Sequence, residues 1–213
     1  MERGGSEDPF VFPSDGGLRM KVMLIDAFDS FVYVIEQYYS AAGAQTKVVR
    51  VNDDPLAHYR QWQPQLLVLG PGPGTPEDHG YPQIIRAMDE QQAIFGVCLG
   101  HQALGEHFGW KLTRAPTTEH GKYAQVHHDA KGIFQDVPSA LTVVRYHSLA
   151  ITEPPTPTAL MATAYSDDGV NMAARHRTRP IESVQFHPES IGTDYGIQMI
   201  RNSLALASVN AMS

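Results

Sequence analysis

The sequence AIFGVCLGHQ at residues 93–102 joins an apolar run, a cysteine between two glycines, and the start of a helical pattern. A strand, a tight turn and a helix in this order form the G-x-nucleophile-x-G elbow, here with cysteine as the nucleophile. The turn needs the small residues Gly96 and Gly100, and it lifts Cys98 above the sheet edge, where the N-terminus of the following helix favours a thiolate. The N–H of Leu99 is then placed to donate to an oxyanion. The alternative is a structural buried cysteine, but core packing alone would not require both glycines.

The first half of the sequence alternates between strand and helix patterns. Short apolar runs predict strands at 22–25, 46–51, 66–69 and 93–97. Apolar residues at helical spacing predict a helix at 30–42. The stretches between the other strands predict helices at 55–61, 81–91 and 102–108. Strands that alternate with helices indicate βαβ units. We therefore expect an α/β fold with a mostly parallel sheet that is covered by helices on both faces.

The second half of the sequence is richer in strands. Strand candidates lie at 111–114, 123–127, 141–147, 159–165, 170–176 and 181–186, and a final helix is expected at 195–207. This pattern predicts a smaller antiparallel β region joined to the parallel sheet. Residues 1–19, rich in glycine, proline, serine and acidic residues, are expected to form a flexible leader; a partner-docking arm is the alternative. Residues 20–213 are expected to form one domain.

The composition argues against several classes of protein. A formal net charge of −7, with 16 Lys and Arg in 213 residues, disfavours nucleic-acid binding, which needs clustered basic residues. The apolar runs are too short to span a bilayer, and no secretory signal is visible at the N-terminus. A single cysteine rules out an intrachain disulfide and fits a reducing compartment. We therefore expect a cytoplasmic protein without nucleic-acid or membrane partners.

A thiol nucleophile needs a base that is oriented by a third group. The segment His187-Pro188-Glu189 follows the strand predicted at 181–186. In an extended segment, residues i and i+2 point to the same side, so the imidazole and the carboxylate are expected to emerge together. A turn with solvent-facing polar residues is the alternative. A metal site at residues 127–129 is disfavoured because adjacent strand side chains diverge, and we expect neither a metal nor a cofactor.

The segment LGPGPGTP at residues 69–76 follows the strand predicted at 66–69. Alternating glycine and proline give a rigid loop whose bare backbone a substrate can approach closely. The prolines cannot donate hydrogen bonds, so a second oxyanion donor is expected from Gly70, Gly72 or Gly74. A phosphate-binding loop is a weaker alternative, because no lysine follows as it does in a P-loop. An ordinary tight turn is also compatible with the pattern.

Taken together, GVCLGHQ at 96–102, LGPGPGTP at 69–76 and VQFHPES at 184–190 resemble the three motifs of class I, triad-type glutamine amidotransferases. The resemblance extends over residues 20–207, so 20–213 is expected to be a glutamine amidotransferase domain. It implies a flavodoxin-like three-layer fold and a catalytic triad of Cys98, His187 and Glu189. IDAFDSFVYVIEQY at 25–38, EHGKYAQVHH at 119–128 and RYHSLAI at 145–151 are similar to the small subunits of anthranilate synthase and aminodeoxychorismate synthase.

This resemblance implies how the substrate is held and what the partner is. Glutamine is expected to contact the residues at the matching positions, namely Gly72, Pro73, Gly74, Gln102, Ser148 and Leu149. Its hydrolysis would pass through a glutamyl thioester. Because little sequence follows the last motif, the ammonia is expected to serve a separate chorismate-utilising synthase large subunit, which would activate this chain.

The sequence departs from the family pattern near its start, where D-N-x-D-S-F-T-x-N-L is usual. Ala27 and Val34 replace the two asparagines, Val32 replaces the threonine, and Tyr123 and Ala124 replace the Thr-Ser of H-G-K-T-S. These changes leave several alternatives open. They are a secondary-metabolite synthase acting on chorismate or isochorismate, a catalytically silent partner-binding subunit, another hydrolase on the same scaffold, or a glutaminase of GMP or carbamoyl-phosphate synthesis. The last two fit the Gln102, RYHSL and DSF segments less well.

Overall fold

The computed structural model describes residues 19–116 and 121–208, so the predicted leader lies outside the described residues except for Arg19. The strands are β1 (Lys21–Asp26), β2 (Gln45–Arg50), β3 (Leu66–Leu69), β4 (Ala93–Val97), β5 (Lys111–Arg114), β6 (Lys122–His128), β7 (Leu141–Arg145), β8 (Leu149–Thr152), β9 (Leu160–Ser166), β10 (Asn171–His176) and β11 (Ile181–Val184). The α-helices are α1 (Phe31–Ala41), α2 (Pro55–Trp62), α3 (Tyr81–Arg86), α4 (Leu99–His107) and α5 (Gly196–Ser208). Short 3-10 helices lie at Glu77–His79 and Gly132–Phe134.

One nine-stranded sheet runs through the described part of the chain, in the order β2-β1-β3-β4-β11-β10-β9-β6-β7. The pairs from β2 to β11 are parallel, and those from β11 to β7 are antiparallel. A separate two-stranded antiparallel sheet pairs β5 with β8. The predicted α/β class with a mostly parallel sheet is thus confirmed. Most of the antiparallel region continues the parallel sheet at β11.

The inner parallel strands β1, β3 and β4 are almost entirely buried, which explains their largely apolar character. Successive side chains of a strand point to opposite faces, so Val22 and Leu24 pack with α1 and α5, and Met23 and Ile25 pack on the side of α3 and α4. This alternation gives the helix–sheet–helix layers that the family resemblance implied.

Several observed elements differ from those predicted, and three of the differences concern β8, α3 and β11. Strand β8 was not predicted, because its four residues form a stable strand only through their long-range pairing with β5. Helix α3 ends at Arg86 instead of continuing to 91, and the backbone carbonyls of Asp89 and Glu90 in the following turn accept hydrogen bonds from the Arg179 guanidinium. Strand β11 ends at Val184, two residues before the predicted end, where the chain turns into the candidate site.

The pairing of β4 with β11 positions the functional segments. Val97 and Val184 are partners in this parallel pair, and the N–H of Cys98 donates to the Val184 carbonyl at 2.8 Å. The residues that follow these two strands therefore meet at the carboxyl edge of the sheet, where open α/β sheets bind ligands.

Substitution of two glycines on α4 tests how closely this helix packs. A Cβ on Gly100 would fall against the backbone of Leu69 (2.7 Å from the Leu69 Cβ), whereas one on Gly105 would meet only the side chain of Ile151, whose Cδ1 and Cγ2 would lie at 2.7 and 2.8 Å. Helix propensity alone favours Gly→Ala by about 1 kcal/mol. We expect Gly100→Ala to lower the free energy of unfolding by about 3 kcal/mol, and Gly105→Ala to lower it by about 1 kcal/mol or less. Urea unfolding measures both values, and a Gly100→Ala variant as stable as the wild type would contradict the packing.

Candidate active site

Cys98 occupies the turn between β4 and α4 and is 6% exposed. Its backbone has φ 52° and ψ −98°, an unfavourable conformation for a residue with a side chain. The turn is held by close packing, because a Cβ on Gly96 would lie 2.7 Å from the backbone carbon of Gly100. Both glycines are therefore needed for the elbow, as the sequence predicts. The backbone N–H of Leu99 lies in the first turn of α4, where no intrahelical acceptor is available.

His187 and Glu189 form a buried pair in which the imidazole Nδ1 lies 2.6 Å from the carboxylate Oε1. The predicted pairing is present, but the predicted extended geometry is not. The backbone makes a turn in which the Ser190 N–H donates to the His187 carbonyl at 3.2 Å. The rigid Pro188 inside this turn keeps the two side chains together.

Neighbouring side chains that the sequence analysis did not single out fix the orientation of this pair. The rings of Phe31 and Tyr146 contact the His187 imidazole edge-on, with centroids 5.5 and 5.3 Å away. The Thr193 hydroxyl donates to the His187 carbonyl at 2.7 Å, and the Tyr38 hydroxyl donates to the Glu189 carbonyl at 3.4 Å. The sequence motifs gave no local signal for these contacts.

The electrostatics of the site favour a protonated His187. Burial alone would lower the pKa of this imidazole, but the negative charges of Glu189 and Cys98 and hydrogen bonds to both outweigh it and raise the pKa well above 6.5. An imidazolium beside the sulfur stabilises the thiolate, which is the nucleophilic form of cysteine.

The Gly-Pro loop after β3 is held from several sides. The Gly70 N–H donates to the Ile25 carbonyl at 3.1 Å and is therefore not available to a substrate. His79 Nε2 binds the Pro73 carbonyl at 2.7 Å, and the Asp78 carboxylate accepts from the Thr75 N–H at 2.8 Å. Of the glycines considered as a second oxyanion donor, Gly72 and Gly74 remain.

A cavity of about 110 Å³ lies above the sulfur. It is lined by Gly72, Pro73, Gly74, Cys98, Gln102, Tyr146, His147, Ser148 and Leu149. Next to it is a hollow of about 570 Å³, which shares Gly74, Ser148 and Leu149 and also contacts Thr75 and Arg114. The structure thus gathers the predicted glutamine-contacting residues around one space that includes Cys98. The side chain of Leu99 is buried in the core, so only its backbone N–H can serve as the predicted oxyanion donor.

Buried polar groups hold the Ser148-Leu149 segment in place. Gln102 Nε2 donates to the Leu149 carbonyl at 3.2 Å. Arg145 Nε donates to His147 Nε2 at 3.1 Å, so Nε2 is the acceptor and Nδ1 carries the proton of the neutral ring. His147 Nδ1 then donates to the Leu149 carbonyl at 2.9 Å. Arg145 Nη1 in turn binds the Asp168 carboxylate at 2.8 Å. The RYHSL segment could have suggested Arg145 and His147, but only their side-chain contacts reveal this function.

Two of the unusual residues, Ala27 and Tyr123, lie against segments of the site. The Cβ of Ala27 would be 2.5 Å from a Cβ on Gly72, so this buried alanine packs behind the Gly-Pro loop. Tyr123 is 68% exposed and lies against Gly192, just beyond the His-Pro-Glu segment. Val34 and Ala124 are half-buried. Nothing in the structure explains the replacement at Val34.

The histidines of β6 do not converge on one point. His127 pairs with Asp167, and His128 stacks on Phe134 and bonds to the Pro138 carbonyl. Within residues 19–116 and 121–208, no group of three His, Cys, Asp or Glu side chains is placed to hold a metal ion. In the same part of the chain, no helix has the length and apolar character needed to cross a membrane.

The sequence matches known proteins over most of its length. Residues 23–207 match the family described as Glutamine amidotransferase class-I. Aminodeoxychorismate synthase from Streptomyces griseus is 47% identical over 193 residues, which cover 86% of this chain but 25% of that protein, so the chain spans about a quarter of that relative. Anthranilate synthase component 2 from Cyanophora paradoxa is 40% identical over 183 residues, covering 85% of this chain and 96% of that protein.

A solved structure shares the fold. The crystal structure of a Thermoplasma acidophilum protein, described as belonging to GMP synthase, superposes with a TM-score of 0.81 at 25% identity. The superposition covers 92% of this chain and 98% of that structure.

The substitution Glu189→Gln tests the charge balance at His187. Without the carboxylate charge, burial dominates and the pKa of His187 should fall. A histidine whose pKa is higher in the folded state stabilises the protein fully when the pH is below the unfolded-state pKa, which is near 6.5. This stabilisation disappears as the pH rises through the folded-state pKa. The variant should therefore lose stability mainly at low pH. NMR titration of the His187 ring and thermal melts at pH 5 and 9 measure the two effects. Asp167→Asn, which removes an exposed partner of His127, is the control. An unchanged His187 titration would contradict this assignment of charge.

Proposed function

Because this chain belongs to the class I glutamine amidotransferase family, we propose that it hydrolyses glutamine at Cys98 and delivers the ammonia to a chorismate-utilising synthase. The observation that carries this proposal is the buried His187–Glu189 pair beside a cysteine held at a strained elbow under a cavity. A structural cysteine would need neither the pair nor the cavity.

Glutamine enters from the larger hollow and extends its side chain toward the sulfur. Gln102, Ser148 and Leu149 border the cavity on one side, and Gly72 to Gly74 border it on the other. The Gln102 Nε2 group is already occupied by the Leu149 carbonyl and by Gln185 Oε1, so its Oε1 is the atom that remains for a donor group of glutamine. The cavity is narrow, which fits an unbranched carboxamide.

In the first half of the reaction, the Cys98 thiolate attacks the side-chain carbon of glutamine and a C–S bond forms. The carbonyl oxygen becomes an oxyanion, which the Leu99 N–H and one loop N–H, from Gly72 or Gly74, stabilise. One such donor contributes about 3–4 kcal/mol to catalysis. The imidazolium of His187 gives its proton to the leaving nitrogen, the C–N bond breaks, and ammonia departs from a glutamyl thioester.

In the second half, the neutral His187 accepts a proton from water, and the resulting hydroxide equivalent attacks the thioester carbon. The C–S bond breaks, so glutamate and the Cys98 thiolate are released and His187 is again an imidazolium. Glu189 stays ionised throughout and stabilises the imidazolium in both steps, which is the function of the carboxylate in such triads.

The partner is inferred from the relatives. The matching segment of the Streptomyces griseus aminodeoxychorismate synthase lies within a much longer chain, whereas the Cyanophora paradoxa relative is named as one component of anthranilate synthase. Both names support a synthase that uses chorismate or a close analogue and receives ammonia from this active site. We assign the protein to the cytoplasm, in keeping with its single free cysteine.

The surface beside the His-Pro-Glu turn is partly apolar and exposed, which suits such a partner. Ile191 is fully exposed, and Tyr123, Tyr195 and Ile197 are about half exposed or more. Ile191, Tyr195 and Ile197 line one groove with Pro188, next to His187, and Tyr123 contacts the adjoining Gly192. We propose that the synthase covers this surface, because it adjoins the His-Pro-Glu turn that carries two residues of the proposed triad.

The substitution Cys98→Ala tests the chemistry. We expect glutamine-dependent synthase activity to fall by at least about 10³-fold, because loss of the nucleophile removes the covalent route. Activity with added ammonium should persist, which shows that the partner still functions. The electrophilic glutamine analogue 6-diazo-5-oxo-L-norleucine should add once to the wild type and not to the variant, as read by mass spectrometry. Glutamine hydrolysis by Cys98→Ala, or an unlabelled wild-type Cys98, would contradict the proposal.

The substitution Ile191→Asp tests the docking surface. We expect its Kd for the anthranilate or aminodeoxychorismate synthase large subunit of the same organism to rise by roughly 10-fold, since an anchor residue contributes about 1–2 kcal/mol or more. Calorimetry measures the change. Ala205→Asp, which adds the same charge at an exposed site near the far end of α5, is the matched control and should bind normally. Unchanged binding of Ile191→Asp would contradict this docking surface.

A further inference from the structure

A glutamine side chain contacts the nucleophilic sulfur. Gln185 is completely buried, and its Nε2 donates to Cys98 Sγ at 3.6 Å, within the range of hydrogen bonds to sulfur. Its Oε1 accepts a hydrogen bond from Gln102 Nε2 at 3.2 Å. The chemistry described above gives this residue no function, although it touches a reacting atom.

The sheet itself determines the position of Gln185. The Cys98 N–H donates to the Val184 carbonyl at 2.8 Å, so the residue after Val184 lies beside the nucleophile. The backbone N–H of Gln185 donates to the Met172 carbonyl at 2.9 Å, which fixes the chain from the β10 side. A backbone held on two sides leaves the side chain little freedom to turn away from the sulfur.

The hydrogen bonds also determine which end of the Gln185 amide faces the sulfur. Gln102 Nε2 donates to the Leu149 carbonyl and to Gln185, so the Gln185 atom that receives it must be the oxygen. The amide nitrogen of Gln185 is then directed at Cys98. The network settles this assignment, which the shape of an amide alone leaves open.

An N–H donor at a buried sulfur favours the thiolate over the thiol, because a hydrogen bond to the charged form lowers the free energy of that form. His187 supplies one positive partner for the sulfur. Gln185 supplies a second donor that carries no charge, so it neither competes with His187 for the Glu189 carboxylate nor changes protonation during the reaction.

We propose that Gln185 is a further catalytic residue of this site, which stabilises the Cys98 thiolate through its side-chain N–H and positions Gln102 for glutamine through its side-chain carbonyl. The second part rests on the proposed glutaminase function, whereas the first concerns the sulfur alone. The two parts can therefore be tested separately.

The test compares Gln185→Met and Gln185→Glu with the wild type in the full-length chain. Methionine keeps the length of the side chain but has no N–H, and glutamate keeps the shape but places a carboxylate at the sulfur. The probe is iodoacetamide, and the measurement is the second-order alkylation rate of Cys98 from pH 5 to 10. We expect a rate at pH 7 about 10-fold lower for Gln185→Met and lower still for Gln185→Glu, since a hydrogen bond to a charged group is among the stronger ones.

The shape of the pH profile separates electrostatics from misfolding. If Gln185 stabilises the thiolate, both variants reach the wild-type alkylation rate at high pH, and only the pH of half-maximal reaction moves upward. Gln92→Met is the matched control, because Gln92 is a buried glutamine with several hydrogen bonds that lies away from the sulfur. Its profile should equal that of the wild type. Thermal melts confirm that each variant is folded. If Gln185→Met does not fold, the alkylation profile of Gln185→Glu alone tests the proposal.

Steady-state kinetics with the synthase test the link to Gln102. Loss of the Gln185 carbonyl should raise KM for glutamine as well as lower kcat, whereas loss of the sulfur contact alone would lower kcat only. A wild-type alkylation profile in both Gln185 variants would overturn the proposal. If alkylation depends on Gln185 but the wild type hydrolyses no glutamine, the proposed function fails and the sulfur contact stands, so the two failures are distinguishable.

Discussion

The parallel pairing of β4 with β11 is the constraint on which the candidate site depends. Through the hydrogen bond from the Cys98 N–H to the Val184 carbonyl, this pairing joins two segments separated by more than eighty residues of sequence. The nucleophile follows one strand, and the His-Pro-Glu turn follows the other. A slip of one residue in this register would turn the Cys98 neighbours to the opposite face of the sheet, so the same packing that stabilises the core also fixes the geometry of the chemistry.

Close backbone packing around the elbow makes that geometry possible. Cys98 has a positive φ that a residue with a side chain normally avoids, and such a conformation costs about 1–3 kcal/mol unless the surroundings impose it. Gly100 packs against the backbone of Leu69, and Gly72 lies against Ala27 and Leu99. These glycines therefore bring the elbow, the first turn of α4 and the Gly-Pro loop close together around one cavity.

Much of this arrangement could be predicted from local patterns, because the inner parallel strands β1, β3 and β4 are largely apolar and the elbow and His-Pro-Glu motifs consist of short segments. The parts that were missed depend on contacts between distant residues. Strand β8 exists through its pairing with β5, and the turn at His187 replaces an extended end because Ser190 bonds back to the His187 carbonyl. Gln185, Arg145 and His147 are polar residues inside strand-like sequence, and only their buried partners reveal what they do.

The distribution of charge in the site follows from burial. His101 lies in the same motif as Cys98, but burial lowers its pKa to about 3, so it is neutral at physiological pH and bonds to the Ser183 hydroxyl. His147 is held by a donor on one ring nitrogen and an acceptor on the other, a pattern that requires the neutral tautomer. His187 differs because the Glu189 carboxylate lies 2.6 Å from its ring. The positive charge is therefore placed on the imidazole that faces the sulfur, while the nearby imidazoles of His101 and His147 are neutral.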